Sequence, residues 1–335
     1  MKRFGSLWEK VIPKENFELA EKMARRGKSS RRDVQKFGEN REENLEAVRR
    51  LVIEKRFHTS PYRSKVIYEP KERVIYMLPY APDRIVQHAL MNVLVPVMEK
   101  LFISDSYACV AGRGQMRASQ RTMVAVRRNR YCLKCDIHHF YPSINQSILS
   151  GMYHRKFKDN DLLELMDDII YSFPGGKNCP IGNYTSQWNG NFYLTPLDHF
   201  CKQELGIRDY IRYCDDFLLF SDDKAYLHEC RKRIEDFIWR ELELTYSKAD
   251  VFSVRQGIDF CGYRHFDNYI LVRKSTARKQ MRKLRLLPGM LRDGALTKDR
   301  MRSTIDSISG WIKHANSHNL RAAMGIEGMR RLCCA

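Results

Sequence analysis

The sequence predicts an α+β fold, and two observations carry that expectation. Strand-like stretches lie in the middle of the chain, between Tyr62 and Gly262, while both ends are charged and helical in pattern. The two kinds of segment also follow one another without the regular alternation that builds a doubly wound parallel sheet. With 335 residues, 43% of them hydrophobic, the chain is long enough for two or three structural units around a substantial core.

Taken in order, residues 1–56 are expected to form a helical extension. Leu45, Val48, Leu51 and Val52 fall on one face of a run from Arg41 to Glu54. Arg25, Arg26, Lys28, Arg31 and Arg32 make a basic surface, open to reading as a solvated face or as a hold on RNA. Tyr62 to Leu78 reads as two strands about a Glu-Pro-Lys-Glu turn. A helix is expected from Asp83 to Lys100, a strand over 131–137, and helices over Asn145–Met152 and Asp159–Tyr171. A Gly/Pro-rich loop, Phe173 to Pro180, leads to a helix from Tyr184 to Phe200. Ile211 to Phe220 is strand, polar turn and strand. Ala225–Glu241 is an amphipathic helix, Leu244–Gly262 returns to short strands, and the remainder is basic and mostly helical.

Charge narrows the partners. Lys and Arg number 59 against 40 acids, a net +19 with a pI near 9.5. A polyanion that releases counterions gains affinity with every phosphate neutralised, so nucleic acid is the expected partner. No apolar run approaches the ~20 residues that span a bilayer, and neither a secretory signal nor a lipidation motif is visible, so no membrane partner is expected. The ten cysteines show no regular framework and read as reduced thiols of a cytoplasmic protein. Cys132 and Cys135 have Cys-x-x-Cys spacing, but a strand turns them to opposite faces and no second pair lies nearby. They are expected in the core.

The strongest chemical signal is Arg212-Tyr213-Cys214-Asp215-Asp216-Phe217, two adjacent carboxylates at a tight turn between apolar strands. Taken alone this is equally an Asp-rich hairpin turn. A second element shifts the balance: Tyr131 to Ile144 is a strand ending at Asp136, followed by Phe140 and Tyr141. Two-metal phosphoryl transfer needs carboxylates from separate strands around ions ~4 Å apart, and hard oxygen ligands suit Mg²⁺.

In that order, Asp136 with its aromatic pair, Gly182 and Ser186, then Tyr213-Cys214-Asp215-Asp216, the sequence resembles the palm of reverse transcriptases. Arg73 and the stretch Asp83 to Leu90 resemble the family's fingers motif. Ser106 to Cys109 with Gly112-Arg113-Gly114 resembles the next block, and Lys248 with Phe260-Cys261-Gly262-Tyr263 the last palm blocks. Seven blocks occur in order over about residues 60–320. The resemblance implies a right-hand polymerase of fingers (57–130, in part), palm (131–265) and basic helical thumb (266–335).

What the family implies is carried over residue by residue. Asp136, Asp215 and Asp216 would surround two Mg²⁺ ions, with Mn²⁺ as a substitute and the Ile137 carbonyl as a further ligand. Tyr141 stands where the family places its gate against a ribose 2′-hydroxyl. Lys71 and Arg73 match positions that hold the incoming triphosphate. Ile181, Gly182, Gln187 and Lys248 fall at further nucleotide positions, Gly182 letting backbone approach the nucleotide. Arg273 to Arg285 carries seven basic residues and no acid. Arg273, Lys274, Arg278, Lys279 and Arg282 would there follow duplex phosphates, although a solvated basic helix has the same pattern.

Within the family, Ile181 and Gln187 stand where most members have Gln and Pro. That loop is similar to the reverse transcriptases of diversity-generating retroelements, as are Ser309-Gly310-Trp311 and His318-Asn319-Leu320; no appended nuclease segment is expected. The resemblance implies error-prone cDNA made from a template-repeat RNA and deoxynucleotide triphosphates, with errors at template adenines and help from a small basic accessory protein. A reverse transcriptase of another bacterial lineage, such as phage defence, and a non-catalytic RNA-binding scaffold are the alternatives.

Overall fold

Strands form where apolar, β-branched and aromatic residues run without glycine or proline. In the computed structural model, which describes residues 3–68 and 72–334, these are β1 (Arg63–Ile67), β2 (Arg73–Met77), β3 (Tyr131–Ile137), β4 (Asp209–Tyr213), β5 (Asp216–Ser221), β6 (Tyr246–Ser253), β7 (Ile258–Phe260), β8 (Tyr263–His265) and β9 (Ile270–Val272). They make a hairpin β1-β2, a four-stranded sheet in the order β4-β5-β3-β6, and a three-stranded sheet β7-β8-β9. The turn residues Glu69, Pro70 and Lys71 lie outside the described residues. By contacts the chain divides into two units, each made of separated segments.

The first unit comprises Met1–Val110, Asp136–Gly206 and Lys232–Lys248. Its centre is the helix Ile85–Met98, in which Ile85, Val86, Ala89, Leu90, Met91, Leu94 and Met98 are all buried. A helix apolar nearly all round must be covered on every side. Helices Lys14–Arg25, Arg41–Ile53 and Tyr184–Tyr193 cover it. The helix starts at Ile85 rather than at Asp83, because Tyr80–Arg84 forms a separate turn with Ala81 in extended backbone before Pro82. The helix expected from Tyr184 to Phe200 is likewise interrupted. It ends at Tyr193, and a short helix with Pro196 in its first turn begins at Thr195.

A buried acid fixes the entry to this unit. Glu21 accepts hydrogen bonds from Arg25 Nε (2.6 Å), Arg41 Nε (2.9 Å) and the Tyr80 hydroxyl (2.8 Å). Burial would raise its pKa, but those three donors hold it below the ordinary carboxylate value. Phe37 meets Tyr80 edge-on at 5.5 Å, so the turn Tyr80–Arg84 lies against both N-terminal helices that bracket the loop from Arg26 to Arg31.

The second unit comprises Ala111–Cys135, Ile207–Arg231 and Ala249–Ala335. It holds β4, β5, most of β3 and β6, and the three-stranded sheet. Helix Gln115–Arg128 packs on β4 and β8. Cys132 and Cys135 are fully buried in β3, as core positions should be. The C-terminal helices Lys274–Arg292, Lys298–Ile312 and Ile326–Cys334 close on Leu284, Leu287, Met301, Ile305, Ile308, Ile312, Met324 and Ile326. Trp311 stacks on Tyr263 at 4.8 Å and receives its hydroxyl hydrogen bond at the backbone carbonyl, 2.7 Å. A Cβ on Gly262 would meet that indole at 2.8 Å. Of the segment Ser309-Gly310-Trp311, Ser309 is buried and Trp311 half-buried against Tyr263, while Gly310 is exposed.

Candidate active site

In the second unit, β4 and β5 pair so that Tyr213 faces Asp216, leaving Cys214 and Asp215 as a two-residue turn. Two-residue hairpins match the strand twist when a central residue takes positive φ. Cys214 takes it, at φ 55°, a conformation that costs a non-glycine residue about 1 kcal/mol. The wholly buried Arg212 donates from Nη1 to the Cys214 carbonyl at 3.0 Å and secures the turn from behind. Asp215 and Asp216 remain half-buried at its tip.

A cation already attends one of these acids. Lys134 of β3 places Nζ 3.5 Å from Asp216 Oδ2 and also donates to the Asp259 carbonyl at 2.6 Å. Cys261, from the Phe260-Cys261-Gly262 segment, feels the same surroundings: burial first, then the charges of Asp216 and Cys214, push its thiol up. Lys134 went without a role in the sequence reading. Its signal was the single cation of β3, set among Tyr131, Cys132, Leu133 and Cys135.

In the first unit, Asp136 accepts the Ser247 hydroxyl at both its carboxylate and its carbonyl, and the backbone N–H of His138 donates to the Thr245 carbonyl at 2.8 Å. Ile137 is buried. His139 turns the chain through φ 41° so that Phe140 enters the core and Tyr141 stays half-exposed. Gly190, buried on the helix Tyr184–Tyr193, leaves room for both rings. A Cβ there would lie 3.1 Å from Phe140 and 3.2 Å from Tyr141.

The loop after residue 180 meets β2. Tyr76 N–H donates to the Ile181 carbonyl at 2.8 Å, and Gly182, at φ 135°, passes beneath that strand. A Cβ on Gly182 would sit 1.8 Å from the Tyr76 carbonyl oxygen. The close approach that demands glycine is therefore made by β2 itself. Ile181 is half-exposed and Gln187 exposed, the latter accepting from Cys109 Sγ at 3.6 Å. Arg73 opens β2 in an exposed position. Lys71 lies outside the described residues. Lys248 is exposed on β6.

On the Lys274–Arg292 helix, Lys274, Arg278, Lys279 and Arg282 are exposed, while Leu284 and Leu287 point into the core. Arg273 differs from these. It precedes the helix, half-buried, and its Nε donates to Asp259 Oδ1 at 2.6 Å.

The family model for reverse transcriptase (RNA-dependent DNA polymerase) matches residues 65–265. The chain belongs to the reverse transcriptase family. This reverse transcriptase is 27% identical over 275 residues to the retron Ec73 reverse transcriptase of Escherichia coli, covering 75% of this chain and 78% of the relative. It is 22% identical over 283 residues to protein YkfC of E. coli strain K12, covering 69% and 72%. The family gives the chain a palm-type polymerase fold and RNA-directed DNA polymerase activity, with RNA template and deoxynucleotide triphosphates as substrates.

Reverse transcriptase domains generally use divalent metal ions. Among the described residues, no group of three or more His, Cys, Asp or Glu stands close enough together to hold one. Asp136, Asp215 and Asp216 are each half-buried carboxylates, hard oxygen donors of the kind that a divalent ion takes. No helix among the described residues is long and apolar enough to cross a membrane.

Proposed function

We propose that this reverse transcriptase makes error-prone cDNA from a template-repeat RNA of a diversity-generating retroelement. The observation that carries the subtype is the loop from Ile181 to Gln187, which departs at both ends from the Gln and Pro of most relatives. In the structure its backbone is pinned at Ile181 by Tyr76 while the apolar side chain stays half-exposed. An isoleucine offers only apolar contact where Gln offers a hydrogen bond, so the energy gap between right and wrong base pairs narrows. Each ~1.4 kcal/mol of lost discrimination costs about tenfold in fidelity.

In this proposal Asp136, Asp215, Asp216 and the Ile137 carbonyl would hold two Mg²⁺ ions, with Mn²⁺ as substitute, and the ions would supply the charge that nucleotidyl transfer requires. Arg212 keeps the turn of Asp215 and Asp216 in place, and Lys134 balances Asp216. Arg73, with Lys71, takes the triphosphate; Tyr141 closes the space a 2′-hydroxyl would need; Gly182, Gln187 and Lys248 complete the nucleotide's surroundings. Lys274, Arg278, Lys279 and Arg282 follow the duplex backbone, Arg273 bracing their helix through Asp259. Fingers, palm and thumb correspond to 57–130, 131–265 and 266–335, after the N-terminal extension. The setting is cytoplasmic, and a small basic accessory protein assists, which co-purification with the neighbouring gene product tests.

A second reading has its own support. The identity to a retron reverse transcriptase favours a retron-like enzyme of another bacterial lineage. Sequencing cDNA made by the wild type and by Ile181→Gln on one template separates the two. Errors concentrated opposite template adenine support the retroelement subtype. Uniformly low error at all four bases supports the retron-like reading.

A further inference from the structure

Asn183 stands just before the first turn of the helix Tyr184–Tyr193, the place where an asparagine carbonyl ordinarily accepts from the helix's free N–H groups. Here it makes no such bond. Its amide is engaged elsewhere: Nδ2 donates to the Tyr62 hydroxyl at 2.7 Å. That hydroxyl lies 2.8 Å from Ser172 Oγ, and Ser172 donates to the Ile169 carbonyl at 2.7 Å. The protons can run only one way along this chain. A carbonyl accepts, so Ser172 gives its proton to Ile169, Tyr62 gives its own to Ser172, and Asn183 must supply an N–H to Tyr62. The orientation of the amide is thereby fixed, and Asn183 Oδ1 is left buried with no hydrogen-bond partner among the described residues.

Two kinds of local stabilisation are forgone at this one residue: the helix start goes without its side-chain cap, and a buried acceptor goes without a donor. Departures from local rules concentrate at functional and strained sites. What the residue gains is a hold on the β1-β2 hairpin. Tyr62 immediately precedes β1, and its ring meets Tyr76 at 6.0 Å and Phe173 at 5.8 Å, while Tyr76 and Phe173 meet at 4.9 Å. Tyr76 is the β2 residue whose N–H bonds the Ile181 carbonyl and whose own carbonyl crowds Gly182. Three successive residues, Ile181, Gly182 and Asn183, are therefore held by two tyrosines that also touch each other.

We propose that Tyr62 and Asn183 are positioning residues for DNA synthesis, their hydroxyl–amide bond tying the Ile181–Gln187 loop to the β1-β2 hairpin so that the two shift together. This holds on the proposed reading in which Arg73, at the start of β2, takes the triphosphate and Ile181 lies beside the nucleotide. A triphosphate that draws in Arg73 then also sets Ile181, because hairpin and loop are joined at both Tyr76 and Tyr62. The bond at Tyr76 is made by backbone, and any residue but proline can supply it. The bond at Tyr62 depends on a single hydroxyl, so it is the point at which a change of sequence loosens the loop without unmaking the hairpin. Both residues act through the loop rather than on the substrate.

Tyr62→Phe removes the hydroxyl and keeps the ring in its stack. The freed amide of Asn183 can then turn back to cap its own helix, so this variant should melt within about two degrees of wild type. Measured on the full chain without nucleotide, hydrogen exchange of the Tyr76 amide should quicken about tenfold in Tyr62→Phe and in Asn183→Ala, since the Ile181 carbonyl that accepts from it is less firmly held. In single-nucleotide primer extension, each variant should raise KM for the correct deoxynucleotide about tenfold, as for one lost hydrogen bond, and change kcat by less than about twofold. The double variant should do no more than either single one, because both remove the same bond. Tyr76 exchange at the wild-type rate in both variants would overturn the proposal. So would faster exchange with an unchanged KM where Ile181→Gln does alter KM or error rate, since the bond is then structural only. If Ile181→Gln and both variants all leave KM and error rate alone while exchange quickens, it is the nucleotide reading of the loop that fails, and the positioning role falls with it.

Discussion

Replacing Gly182 by alanine tests the fit between the Ile181–Gln187 loop and β2. The added Cβ would lie 1.8 Å from the Tyr76 carbonyl oxygen and 3.5 Å from Ile75 Cγ2. The first of these is backbone, so strand or loop must move. Two contributions set the size. A non-glycine residue at φ 135° is strained by ~1–3 kcal/mol. Displacing β2 also breaks the Tyr76 N–H to Ile181 carbonyl hydrogen bond of 2.8 Å, worth ~0.5–1.5 kcal/mol. Together they amount to about 2–4 kcal/mol, enough to lower the thermal midpoint by several degrees. Because Arg73, proposed to take the triphosphate, begins the same strand, the shift should reach nucleotide binding as well. Gly182→Ala should raise KM for deoxynucleotides more than it lowers kcat, measured by steady-state primer extension. A Gly182→Ala protein with wild-type melting and unchanged KM would refute the claim that β2 sits tight on this loop.

Asp136→Asn and Asp215→Asn should each reduce Mg²⁺-dependent extension by roughly 10³-fold, the worth of several kcal/mol of metal charge, with Asp216→Asn somewhat milder because Lys134 already balances that acid. Near-wild-type extension by Asp136→Asn would reject the metal assignment. Tyr141→Ala should raise ribonucleotide over deoxynucleotide incorporation by roughly tenfold; an unchanged ratio would point to Phe140. Neutralising Lys274, Arg278 and Arg282 together should flatten the salt dependence of duplex binding by about three in slope, alike for all sequences. His265, its pKa brought down to about 4 chiefly by burial, stays neutral when folded but protonates near 6.5 when unfolded. The unfolded chain then binds the extra proton, so this stability is complete above about pH 6.5 and is lost as pH falls toward 4, by at most ~3 kcal/mol. Denaturation midpoints over that window should fall less for His265→Gln than for wild type.

The hairpin of β4 and β5 was legible because its signal is local: two apolar strands and a turn too short to be anything else. The exposed basic face of the Lys274–Arg292 helix was legible for the same reason, since helical spacing decides it. What escaped depended on residues far apart in the chain. Lys134 beside Asp216, Arg273 on Asp259 and Gly182 under Tyr76 each join distant segments, and periodicity carries no record of such meetings. Arg273 was grouped with its basic neighbours because charge alone cannot reveal that it faces an acid. The segmented make-up of the two units was hidden likewise, for each draws on separated stretches of sequence.

Gly190 and Tyr141 are matched in size: the ring occupies the space in which the glycine has no side chain. Neither can therefore drift alone. A larger residue at 190 pushes the tyrosine out of place, and a smaller one at 141 opens a void beside Phe140. With Tyr141 in its proposed role, a lineage that relaxes or tightens the choice of sugar would have two positions at which to do so, one on the turn after β3 and one buried in a helix. Among related chains the two sites should therefore vary together, and a single methyl group at 190 is the smallest inherited change that could retune the other.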